Sequence, residues 1–297
     1  MSEIFEIRAE QISEKIYDLV LEASFYLPEG LRKLIEEARD REVMPLARSA
    51  FDDILVNAGM AAERGQPICQ DCGLAVVFLE VGQQVLITGG ALDKAVNEGV
   101  RRAYRDGYLR KSVVADPLFD RKNTGDNTPA IVHTKIVPGR DIKISVTPKG
   151  TGSENMSRIF MLKPSDGADG VMNAVVETVK LAGSNPCPPI VLGVGIGGNL
   201  EEVALASKKA LLRHEGERHP VAAYAEMERE ILRRVNALGI GPGGYGGLTT
   251  ALEVYVETLP THIGALPVAV NICCHALRHA EGTVEGVLLK GRCNDGA

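Results

Sequence analysis

The chain has 297 residues, 45% hydrophobic and 24% charged, with a net charge of −6 and six cysteines. That length buries a core without staples, and the composition excludes wholesale disorder, a collagen-like chain and a coiled-coil rod. The acidic balance, with 4% aromatics and no tryptophan, argues against a nucleic-acid binder, which carries a basic excess or aromatic stacking platforms.

No apolar run approaches the ~18 residues of a membrane span. The charged start MSEIFEIRAEQISEKI lacks the apolar core of a signal peptide. The sequence therefore predicts a cytoplasmic protein with no membrane association. Its cysteines are too few for a disulfide framework.

Apolar residues recur at helical spacing in three stripes: Ile12, Ile16, Leu19, Val20 and Ala23; Leu31, Leu34, Ile35 and Ala38; Ala47, Phe51, Ile54, Leu55 and Ala58. They predict a helical layer over residues 10–64. After Gln66–Gly73 the run LAVVFLEV predicts a buried strand, and residues 91–106 a helix. Residues 130–137 and 142–147 alternate around Pro138-Gly139-Arg140-Asp141, which predicts a hairpin. Helices are expected at 167–182, 200–212 and 221–237, a strand at 190–194, and apolar runs at 251–257 and 265–273. This order predicts a mixed α/β (α+β-like) fold, not a doubly wound one. A helical N-terminal layer accompanies mixed, largely antiparallel sheets surrounded by helices. With no repeat or linker, residues 1–297 are read as a single domain.

Cysteines carry the clearest chemical signals. The pair Cys69-x-x-Cys72 lacks the second pair or histidine partner that zinc requires. A strand follows it where a thioredoxin-like site needs a helix. Cys187 is fenced by Pro186, Pro188 and Pro189, which predicts rigid, extended backbone. Cys273 and Cys274 end an apolar run, and neighbours on a strand face opposite sides, so one can enter a site while the other packs. Cys69, Cys187 and Cys274 are widely spaced single thiols, each at the edge of an apolar segment. Such spacing suits an iron–sulfur cluster assembled by the fold, and equally structural thiols.

The string Gly193-Val194-Gly195-Ile196-Gly197-Gly198 follows a strand and matches a dinucleotide fingerprint. The second strand ending in an acidic residue is missing; RHEGERHP stands in its place. These glycines are therefore expected to bring backbone amides close to an anionic ligand or a cluster. Asp71, Arg110 and His262 are titratable groups close to these glycine and cysteine knots.

The motifs PICQDCG, DNTPAIVH, PKGTGSENMS, MLKPSDG, AGSNPCPPIVLGVGIGG and LPTHIGALPVAVNICCHALRH occur in one order over roughly residues 10–290. In them the chain resembles the α subunit of the class I, iron–sulfur-dependent fumarases and the related L-tartrate dehydratases. The resemblance implies a [4Fe–4S] cluster on Cys69, Cys187 and Cys274, with one iron open to act as a Lewis acid. Cys72 stands where the family usually has threonine. The resemblance further implies that Gln70, Asp71, Arg110, the amides near Gly152, and His262 bind a C4 dicarboxylate substrate. Asp71 and His262 are its acid–base candidates. It implies a separate β subunit carrying further substrate residues, and α chains that associate with one another. The expected reaction is reversible hydration of fumarate to (S)-malate. The alternatives are dehydration of L-tartrate and, in a different class, a non-catalytic iron–sulfur or scaffold subunit.

Overall fold

The structure, a computed structural model, describes residues 3–289. Cys293 lies outside the described residues. In chain order the elements are β1 (Phe5–Arg8), α1 (Ala9–Phe25), α2 (Glu29–Arg41), α3 (Pro45–Arg64), β2 (Leu74–Gly82), β3 (Val85–Thr88), α4 (Leu92–Asp106), β4 (Ile131–Val137) and β5 (Ile142–Lys149). They continue with the single turn α5 (Thr151–Glu154), β6 (Arg158–Leu162), α6 (Gly167–Ala182), β7 (Ile190–Gly198), α7 (Leu200–Ala210), α8 (Ala222–Asn236), β8 (Ala251–Thr261), β9 (Leu266–Cys273), β10 (Ala280–Val284) and β11 (Val287–Leu288). Among the described residues five strand pairings are antiparallel and three parallel. The fold is mixed α/β, as expected. No described helix is long and apolar enough to cross a membrane.

The chain forms two compact units. The first comprises the residues up to Phe25, Gly65–Lys149 and those from Arg278 onward. Its four-stranded sheet has the order β10-β5-β2-β4, and a smaller one the order β11-β1-β3. The stripe Ile12, Ile16, Leu19, Val20 and Ala23 of α1 is buried with Val96, Val100 and Ala103 of α4 and with Val77, Leu79, Ile142 and Ile144 of the sheet.

The expected hairpin does not form. β4 pairs in parallel with β2, and β5 antiparallel with the other edge of β2. The predicted turn is instead a connector that passes over the end of β2. Gly82 N donates to Asp141 O at 2.9 Å and Gln84 N to Gly139 O at 3.0 Å. A Cβ at Gly82 would lie 2.6 Å from Gly139 C and O, so the crossing requires glycine. A run as apolar as LAVVFLEV gains more from two neighbours than from an edge position.

The second unit spans Tyr26–Arg64 and Gly150–Leu277, around a sheet of order β6-β9-β7-β8. Alternate residues of β7 face opposite layers. Leu192, Val194 and Ile196 pack with Val171, Val175 and Val179 of α6 and Ile231 and Val235 of α8. Val191 joins a separate cluster with Leu31, Ile35, Phe51 and Tyr255.

Gly193 and Gly195 lie inside β7, where a Cβ would stand 2.1 Å from Ser207 O and 2.3 Å from Val203 O of α7. These two glycines serve close helix–strand packing. They do not open a loop toward an anionic ligand, and this corrects the expectation for the string.

Glu228 of α8 is fully buried. It accepts from Arg213 Nη1 at 2.8 Å, His219 N at 3.1 Å and Val256 N at 2.9 Å. Removing its carboxylate strands a mostly buried guanidinium and two amides. Glu228→Ala is expected to cost about 3–5 kcal/mol in urea unfolding, the range for breaking a buried charge pair. Glu228→Gln, which keeps one acceptor, should cost clearly less.

Candidate active site

In the first unit the segment between α3 and β2 forms a tight turn, Cys69–Gly73. Ile68 N anchors its start on Ser24 O at 3.0 Å. Its carbonyls face buried donors. Tyr104 OH donates to Cys72 O at 2.7 Å and Gly73 O at 3.1 Å. Asn127 Nδ2 donates to Gly73 O at 3.1 Å, and Arg278 Nη2 to Asp71 O at 2.8 Å. With the carbonyls drawn inward, Cys69 and Asp71 remain half-exposed and Gln70 exposed. Asp71 N approaches Cys69 Sγ at 3.4 Å, and Gly73 N donates to Asp71 Oδ1 at 3.0 Å. The thiol ligand candidate and the carboxylate are thus fixed by one short loop.

Arg110 belongs to the same place. α4 ends at Gly107, Tyr108 turns the chain with φ 51°, and Arg110 N donates to Cys72 Sγ at 3.1 Å. The residues that follow are stapled by Asn127 Oδ1, which accepts from Ser112 N at 2.7 Å. Asn127 has φ 61°, a conformation asparagine tolerates better than most side chains. The first unit therefore places the Arg110 main chain against the turn that carries Cys69, Gln70 and Asp71. Cys72 is buried in the hydrophobic core. Burial pushes its thiol up, against the opposing pull of the Arg110 amide and the Arg278 charge.

In the second unit Cys187 and Cys274 lie at one end of the sheet. β7 and β9 run antiparallel with Val191 opposite Cys273, so the start of one strand adjoins the end of the other. His275 Nδ1 lies 3.0 Å from Cys187 O. Cys187 is exposed, with φ 54° and its amide on Ser184 O at 3.1 Å. The expected extended backbone is therefore corrected: a left-handed residue closes the turn after α6 despite the proline that follows. Cys273 is 5% exposed among apolar side chains, while Cys274 is half-buried. The two neighbours divide as strand alternation requires.

Gly152 lies in α5, near the same end. Asn271 Nδ2 donates to Glu154 Oε2 at 3.2 Å, and Ile272 N to Ser157 Oγ at 3.1 Å. A Cβ at Gly152 would meet nothing within 4 Å, so packing does not demand glycine there.

His262 is at the other end of β9. It is exposed beyond β8, accepts from Gly264 N at 3.1 Å, and borders an apolar groove of about 560 Å³ with Ile196, Met227 and Leu266. The eight-residue strand that separates it from Cys274 spans roughly 25 Å at ~3.3 Å per residue. Within the second unit His262 therefore stands apart from Cys187 and Cys274.

The five described cysteines are thiols. Among the described residues no three His, Cys, Asp or Glu side chains are arranged for a single metal ion. A cubane imposes a different requirement, because its thiolates bind different irons and need not converge on one point. Cys69, Cys187 and Cys274 end on partly or fully exposed loops, whereas Cys72 and Cys273 pack into cores. Each of these three accessible thiols is the kind of soft donor that an iron–sulfur cluster takes.

The first unit thus carries an accessible thiol beside a carboxylate, and the second two accessible thiols at one end of its sheet. The chain matches the family described as fumarate hydratase (Fumerase) over residues 13–283, and it belongs to that family. It is a hydro-lyase.

Similar chains carry a narrower name. A Methanocaldococcus jannaschii protein provisionally named L(+)-tartrate dehydratase subunit alpha is 42% identical over 275 residues, covering 91% of this chain and 96% of its own. The L(+)-tartrate dehydratase subunit alpha of Escherichia coli K12 is 31% identical over 278 residues, covering 92% and 90%.

Sequence reasoning missed Tyr104, Asn127 and Arg278. Asn127 and Arg278 were within reach, since they lie in the motifs DNTPAIVH and LPTHIGALPVAVNICCHALRH. Tyr104 carries no signal beyond its place on a helix face.

Proposed function

We propose that this chain is the α subunit of a two-subunit iron–sulfur hydro-lyase that dehydrates L-tartrate to oxaloacetate. The observation that carries the choice of substrate is the near end-to-end similarity to chains named L(+)-tartrate dehydratase subunit alpha. That name also supports a separate β subunit as partner. Hydration of fumarate is the second reading, favoured by the description of the family itself.

Cys69, Cys187 and Cys274 are the proposed ligands of a [4Fe–4S] cluster, which when bound supplies a Lewis acid for the departing hydroxyl. The chain's own residues do the rest. Arg110 offers a fork of donors to a substrate carboxylate, and the exposed Gln70 amide a further hydrogen bond. The open space beside Gly152 suits close approach of a second carboxylate to backbone amides. Asp71 holds or moves a proton at its carboxylate. Dehydration breaks one C–O bond and the C–H bond on the neighbouring carbon. The proton passes to a base, water leaves, and the enol formed from tartrate tautomerises to the ketone.

Anaerobic reconstitution with the β subunit tests this reading. The pair should turn over L-tartrate with a higher kcat/KM than fumarate or (S)-malate. The isolated α chain should reach less than about a thousandth of that activity, given the ~10²–10³ lost with a single electrostatic donor. Faster turnover of fumarate would select the second reading. A cluster-loaded pair inert toward all three substrates would overturn both readings of the substrate.

A further inference from the structure

We propose that Arg278 is a positioning residue for the Cys69–Asp71 turn: a buried guanidinium that orients the turn by a hydrogen bond and favours, by its unneutralised charge, the anionic group bound there. The proposal rests on the reading that Cys69 is a cluster ligand.

Arg278 is 2% exposed. Its backbone is fixed by Thr147 Oγ1, which donates to Arg278 O at 2.7 Å, and by β10, where Ala280 pairs with Val146 of β5. From there Nη2 reaches Asp71 O at 2.8 Å and, more weakly, Pro148 O at 3.4 Å. Nε and Nη1 are buried with no hydrogen-bond partner. Among the described residues no carboxylate pairs with this guanidinium.

A buried guanidinium is costly without a counter-charge, and a well-packed apolar side chain of similar volume serves stability as well or better. A neutral donor would suffice to hold one carbonyl, so the charge calls for another explanation. The turn supplies one. It presents Cys69, and a cubane held by three thiolates is an anion. A fixed positive charge behind the turn stabilises that anion and raises its reduction potential. The bond to Asp71 O meanwhile fixes the main chain two residues from the sulfur. Arg278 is buried and bonded to main-chain carbonyls of the turn and of β5, so its action is indirect.

Two variants separate charge from packing. Arg278→Lys keeps the charge and one donor; Arg278→Gln keeps a donor and loses the charge. After anaerobic reconstitution with iron and sulfide, iron release to a ferrous chelator is timed and the cluster potential is measured. Arg278→Gln should release iron at least about tenfold faster and lower the potential, while Arg278→Lys stays within about threefold of the native rate, on the scale of outer-shell effects on metal sites. Native-like release and potential in Arg278→Gln would overturn the proposal, as would equal losses in both variants.

Hydrogen exchange on the metal-free chain gives an independent reading. Cys72 and Gly73 amides should exchange faster in Arg278→Gln, and unchanged protection there would also overturn the proposal. If the native chain takes up no iron, the cofactor reading fails by itself, and this exchange comparison still decides whether Arg278 positions the turn.

Discussion

Asp71→Asn is expected to lower kcat of the reconstituted enzyme by about 10²–10⁴, the usual span for loss of a general acid or base. Iron content should stay intact and KM nearly native. The substitution is sharp because asparagine retains the acceptor that closes the turn. Gly73 N donates to Asp71 Oδ1 at 3.0 Å, and an amide oxygen can take that bond. The bond from Arg278 to Asp71 O involves only the main chain. What disappears is the charge and the capacity to accept a proton. If Asp71 merely closes the turn, the variant should lose iron while activity per cluster stays unchanged. Parallel iron assays and steady-state kinetics distinguish the two. A full cluster with near-native kcat would remove Asp71 from the catalytic set.

Cys187→Ser should abolish the cluster and with it turnover. The native chain, reconstituted without air, is expected to hold about four irons with broad absorbance near 400 nm, as thiolate-held clusters do. Serine is nearly isosteric, but its hydroxyl is a hard donor that stays protonated at neutral pH, a poor replacement for a soft thiolate. The Cys187 side chain is exposed, so metal-free stability should change by less than about 0.5 kcal/mol, as for other surface substitutions. Cys273→Ala is the control: that residue packs with Leu31, Phe51 and Tyr255, and its loss should weaken the fold without removing iron. Unaltered iron in Cys187→Ser, or stoichiometric zinc in the native protein, would contradict the assignment.

The helices were legible because their apolar stripes match their buried faces. Ile12, Ile16 and Val20 are fully buried on α1, and α6 and α8 begin and end within a residue of the periodic pattern. Strand partners were not legible. Alternation in β4 and β5 fixes which side chains face inward but carries no information on which strand lies between them. The short strands β1, β3 and β11, of two to four residues, are too brief to show a period.

At the site, cysteine spacing pointed to loop-end thiols, and the split between Cys273 and Cys274 followed from strand alternation. The contacts of the supporting residues were hidden for a physical reason, even where the residues lie in a motif. Tyr104, Asn127 and Arg278 reach the turn from segments 31 to 207 residues away in sequence, and no local pattern encodes such distances. The glycine string misled because close helix packing and phosphate approach demand the same absence of a Cβ.

The placement of β2 between β4 and β5 has a kinetic side. Residues 131–149 left to themselves have a short connector and matching alternation, so they can close quickly on one another in microseconds as a local pairing. That pairing uses the very edges that β2 must occupy, and it has to reopen before the sheet can form. Synthesis from the N-terminus offers a remedy, because β2 leaves the ribosome some fifty residues ahead of β4, several seconds earlier at ~5–20 residues per second. A circular permutant that begins after β2 would invert this order, and the wayward hairpin would then have the first opportunity to form.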